Sequence, residues 1–88
     1  MDKTVNTIEW SYIYSDMPKK LRTADDNDVR RNVAIHTLLE KKMIEAYLDP
    51  APESITNECA IAVRLKKTDL PRAIEALHSE GHEFFKIV

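Results

Sequence analysis

The segment Cys59-Ala-Ile-Ala-Val-Arg-Leu65 constrains the fold most tightly. Cys59, Ile61, Val63 and Leu65 fall on one side of it, and Ala60, Ala62 and Arg64 on the other. A period of two that uses β-branched residues specifies a half-buried strand. After it the pattern switches to a helical period. Thr68-Asp69 offers an N-cap, Pro71 falls in the first turn where no amide donor is needed, and Leu70, Ile74 and Leu77 recur at helical spacing. Gly81, the single glycine, stands where a left-handed C-terminal cap belongs. Phe84 to Val88 then reads as a second strand, so this half is strand–helix–strand.

The first half repeats that order. Thr7 to Tyr14 is aromatic and β-branched, which favours a strand. Ile8, Trp10, Tyr12 and Tyr14 share one phase and Ile13 the other, so alternation leaves its core face open. Ser15 to Thr23, with Pro18 and the basic run Lys19-Lys20-Leu21-Arg22, reads as a loop. Asp25-Asp26-Asn27-Asp28 suits a helix start through capping and the macrodipole. The following helix, about Val29 to Lys42, is expected to present Val29, Val33, Leu39 and Met43 on one stripe. Ile44 to Leu48 is expected as a strand stopped by Asp49-Pro50-Ala51-Pro52. The order β-α-β-β-α-β predicts an α+β, ferredoxin-like sandwich, with a four-stranded antiparallel sheet carrying both helices on one face. The Ile61, Val63 and Leu65 face is expected to pack on those helices.

Composition narrows the function classes. The chain has 88 residues, enough for one domain over 1–88, with 1–6 expected to be flexible. A net charge of −2 leaves no basic excess to displace counterions from a phosphate backbone, so nucleic acid is not an expected partner. Trp10, Tyr12 and Tyr14 are instead expected in the core or a dimer interface. The longest apolar run, Cys59 to Val63, is far below the ~20 residues that span a bilayer, so no membrane association is expected. One cysteine excludes an intramolecular disulfide and suits the reducing cytoplasm.

Cys59 is the candidate for chemistry. It follows the loop Glu53-Ser-Ile-Thr-Asn-Glu58, where an exposed thiol could be nucleophilic, although Glu58 would disfavour the thiolate. Alternatively it continues the Ile61, Val63, Leu65 stripe as a small core residue. His78 and His82 straddle Gly81, and with Cys59 they have no recognised zinc spacing, so no metal is assigned. His36, between Val33 and Leu39, is expected to be a half-buried, hydrogen-bonded histidine. One glycine rules out a glycine-rich phosphate loop, and no organic cofactor is implied.

From about Ala34 to Val88 the chain resembles the short prokaryotic selenium/sulphur carrier-like family. The resemblance rests on Leu38-Leu39-Glu40-Lys41-Lys42, the strand Ile44-Glu-Ala-Tyr-Leu48, and the Pro50-Ala51-Pro52 element. Glu53-Ser54-Ile55-Thr56, the single Cys59, the Asp69-Leu70 helix start and the closing Gly81-to-Phe84 segment follow in order. Lys19 to Asp28 is then a loop insertion. Met43 replaces the glycine usual between the first helix and second strand, and Asn57 and Glu58 replace small residues before the cysteine. The resemblance implies an accessory protein rather than an enzyme, carrying sulphur or selenium on Cys59. Pro50, Pro52, Glu53 and Glu58 would form the docking loop for a sulphur-donor enzyme. The rival expectation is a non-catalytic interaction or regulatory module. A sheet with helices on one face leaves its other face and an edge open, so a homodimer is expected as well.

Overall fold

The computed structural model describes residues 7–56 and 60–88. Residues 1–6, Asn57, Glu58 and Cys59 lie outside the described residues. The elements are β1 (Trp10–Ser15), α1 (Asp28–Lys41), β2 (Ala46–Pro50), β3 (Ile61–Lys66), α2 (Leu70–Ser79) and β4 (Phe85–Ile87), with single 3-10 turns at Lys19–Leu21 and Lys67–Asp69. The sheet order is β2-β3-β1-β4 and every neighbouring pair is antiparallel. This is the ferredoxin-like βαββαβ arrangement. Among the described residues no helix is long and apolar enough to cross a membrane.

The strands divide their side chains between two layers. Ile13, Val63, Leu65 and Ala46 face the helices and pack with Ile35, Leu39, Ile44, Ala73 and Leu77. Val63 and Leu65 are wholly buried, as their phase implies, while Ile61 at the strand's start is half-buried. Burying one such side chain contributes about 1.5–3 kcal/mol, so this layer supplies most of the hydrophobic stabilisation. Tyr14 and Ala62 are buried on the opposite layer, against Ile55. The open phase of β1 is therefore settled: Ile13 points to the helices, and Tyr12 and Tyr14 point away.

The expected stripe of α1 holds only at Leu39. Its buried residues are Asn32, Ile35 and Leu39, whereas Val29, Val33 and Met43 are exposed. The helix rotates so that Asn32, with no solvent exposure, can lock it to β1. Asn32 Oδ1 accepts the Ser15 amide at 2.8 Å, and its Nδ2 donates to the Asp28 carbonyl at 2.8 Å. A buried amide costs little when its donors and acceptors are paired, and those two bonds fix the phase. The start of the helix behaves as expected, with Asn27 accepting the Arg30 amide at 3.1 Å.

Strand β2 also departs from expectation, running two residues beyond Leu48 to Pro50. Ile44 is unavailable to it because its amide donates to Leu39 O at 2.9 Å and closes α1. Pro50 is tolerated because β2 is an edge strand. The first and last strands in the chain are shorter than expected: β1 begins at Trp10 and β4 covers Phe85–Ile87, although Val88 still pairs with Tyr12. Asp69 makes no capping bond to α2. The Lys67–Asp69 turn runs straight into the helix, and the carboxylate instead lies 3.7 Å from Arg72.

Both helices end in the same way. Gly81 has φ +85°, its amide bonds His78 O, and the His82 amide bonds Leu77 O. This is the paired-bond C-cap that glycine favours. Met43 occupies the equivalent place after α1, at φ 63°, with the Met43 and Ile44 amides bonded to Glu40 O and Leu39 O. A side chain in the left-handed region costs about 1–2 kcal/mol, and Met43 recovers nothing by packing because it is 86% exposed. Met43→Gly is therefore expected to raise the unfolding free energy by about 0.5–1 kcal/mol after allowing for the freer unfolded chain. Urea unfolding checks this, and a lower midpoint at unchanged slope would contradict it.

Candidate functional site

The candidate site residues run from Pro50, the last residue of β2, along the segment that leads to β3. The stem of this loop continues the antiparallel ladder beyond Pro50, with the Ala51 amide donating to Ala60 O at 2.7 Å. Pro50 is exposed and pairs in register with Ile61, and Pro52 is half-buried at the start of a turn. The Pro52 carbonyl accepts two amides, Ile55 at 2.9 Å and Thr56 at 3.2 Å. Glu53 is exposed on this turn. Glu58 and Cys59 follow in sequence and lie outside the described residues.

Ile55 turns the loop back over the sheet. It is 4% exposed and packs on Tyr14 and Ala62, with Tyr12, Ala51 and Ala60 around them. Ala62 matters because a methyl group lets the loop descend onto the strand. The sheet face expected to be open is thus partly covered by the protein's own loop. Lys86 of β4 reaches the same loop, its Nζ donating to Ile55 O at 3.3 Å and lying 3.4 Å from Asp16 Oδ2. Neither Ile55 nor Lys86 was identifiable from sequence. A lone isoleucine in a polar loop has no period, and the reach of Lys86 depends on the long-range pairing of Lys86 with Tyr14.

Elsewhere on this face an arginine is stacked between aromatic rings. The Arg64 guanidinium lies 4.4 Å from the Trp10 ring centroid and 5.0 Å from that of Tyr47, while the two rings meet edge-on at 6.0 Å. Arg64 Nε is 2.8 Å from Asp49, forming an ion pair, and Lys66 is 3.2 Å from Glu45. The Tyr47 hydroxyl donates to Glu45, which with Lys66 holds that carboxyl below its usual range; the same bond raises the Tyr47 phenol. These charges are spent on one another. Together with exposed Tyr47 the platform is amphipathic rather than basic.

Of the histidines, His36 has a structural role. His36 is half-buried and donates from Nε2 to the Ala46 carbonyl at 2.9 Å, as expected of a satisfied histidine. His78 packs on Phe85 at 5.7 Å, and His82 lies beyond Gly81. Among the described residues no group of three His, Cys, Asp or Glu side chains could hold a metal ion. A cavity of about 410 Å³ opens between the start of α1 and Phe84–Phe85. Arg31 on its wall is already committed to Asp26, Asp28 and Ser15 Oγ.

If Ile55 anchors the loop, Ile55→Ala should cost about 2–3 kcal/mol in urea unfolding through the cavity left over Ala62. Glu53→Ala, on the exposed turn, should stay within about 0.5 kcal/mol of the parent. Equal effects of the two substitutions would show that the loop does not bear on the sheet.

No curated protein and no solved structure matches the chain. A family model does, over residues 28–88, from the first residue of α1 through the β2–β3 loop to the last residue. Segment 7–27, with β1 and the Lys19–Leu21 turn, precedes that match. On the strength of a match over more than half its length, the chain belongs to the family described as "Putative Se/S carrier protein-like".

Proposed function

We propose that this protein is a small accessory carrier that holds sulphur or selenium on Cys59. The observation that supports the reading is the family match, which spans Cys59, the single cysteine of the chain. In the sulphur case the Cys59 thiolate attacks the terminal sulphur of a donor enzyme's persulfide. A new S–S bond forms at Cys59, the donor's S–S bond breaks, and the donor cysteine leaves as a thiolate. The exchange needs no oxidant or reductant. With no second cysteine in the chain, the Cys59 persulfide has no internal thiol to resolve it, so the cargo passes to an external acceptor.

In this reading the Pro50–Glu58 loop is the docking element, with Pro50, Pro52 and Glu53 toward β2 and Glu58 next to Cys59 in sequence. A reducing compartment such as the cytoplasm suits a carrier that must remain a free thiol. The rival reading is a non-catalytic, dimeric interaction module. It is favoured by the Trp10–Arg64–Tyr47 platform and by exposed Phe84, Ile87 and Val88 on the β4 side of the sheet.

Incubation with a cysteine desulfurase and cysteine, followed by intact-mass analysis, separates the two. The carrier reading expects the wild-type chain to gain the mass of one sulphur atom, removable by a thiol reductant, and Cys59→Ser to gain none. An unmodified wild-type chain, or equal gain by both, would leave the interaction module as the better reading.

A further inference from the structure

We infer that Lys86 is a positioning residue for the Cys59 loop, an inference that rests on the carrier reading for its functional consequence. The turn of the loop spends the Pro52 carbonyl twice, on Ile55 and Thr56, and Lys86 Nζ takes up the carbonyl of Ile55 itself. The strand register makes this reach possible. Lys86 lies opposite Tyr14, and Tyr14 is the residue on which the Ile55 side chain packs. The stem of Lys86 thus runs toward the loop on the outer layer, and Asp16 steadies the ammonium at 3.4 Å.

The loop consequently has three anchors of different kinds. Its stem is held by a backbone bond between Ala51 and Ala60, and its middle by the burial of Ile55. The third is a charged side chain from β4, 31 residues away in sequence. Cys59 follows Ile55 by four residues in sequence, so Lys86 holds the part of the loop that leads to it. Its side chain is 52% exposed and outside both apolar clusters, so it can be removed without opening the core. Orientation of a reacting group is where a contact of this kind acts on rate.

Lys86→Met and Lys86→Arg test the assignment in the full chain. Exchange of the Thr56 amide is expected to become about fivefold faster in Lys86→Met, in line with losing one charge-assisted bond, and to return to the wild-type rate in Lys86→Arg. The urea midpoint of both variants should match wild type. Sulphur loading from the desulfurase should slow about fivefold in Lys86→Met at saturating donor with KM unchanged, and recover in Lys86→Arg. Unchanged Thr56 exchange, or unchanged loading in Lys86→Met, would overturn the assignment. Failure of the wild-type chain to load would instead count against the carrier reading, and the exchange measurement would still decide whether Lys86 holds the loop.

Discussion

Strand β3 has side chains with no solvent exposure on both of its faces: Val63 and Leu65 on one, Ala62 on the other. A strand buried on both sides has to be covered on both sides, and the protein has helices for only one of them. The second cover is the β2–β3 loop, which brings Ile55 down onto Ala62 and Tyr14. That requirement links hydrophobic packing to the chemistry proposed for the site. Residues 51–56 of that loop, which precede Cys59 in sequence, are part of the folded structure because an apolar strand face would otherwise be wet, at about 25 cal/mol per Å² of apolar surface.

The same economy governs the edges and corners of the sheet. On the β2 edge, His36 takes the Ala46 carbonyl and Pro50 has no amide to offer, which removes two groups of that edge from pairing with another strand. At the far end of β1, Asn32 satisfies the Ser15 amide while Arg31 ties Ser15 to Asp26 and Asp28. The segment preceding α1 is thereby fastened to the sheet, although it lies outside the region shared with the family. Polar groups that would otherwise be costly to bury set the helix phase in this way.

Much of this was legible in the sequence, and the failures have identifiable physical causes. The alternation of β3 and the glycine after α2 were strong local signals, and the order of elements followed from them. The phase of α1 was misread because its pivotal buried residue, Asn32, is polar, and two exposed valines mimicked a core stripe. The end of β2 was misread because proline stops a central strand but not an edge strand. At the candidate site, Pro52 and Glu53 lie in the loop after β2, whereas Pro50, expected in that loop, is the last residue of the strand. The anchors of that loop, Ile55 and Lys86, depend on contacts between residues far apart in sequence, which no local pattern encodes.

The central claim is that Cys59 acts as a thiol in the native protein, following in sequence a loop that Ile55 anchors on the sheet. The most direct measurement is the rate of its reaction with a small disulfide reagent across urea concentrations below the unfolding transition. The account expects a measurable native-state rate that is nearly independent of urea in this range and rises with pH through the thiol's pKa. A rate that climbs with the full urea dependence of global unfolding, with protection equal to the unfolding free energy, would contradict it and make Cys59 a structural residue.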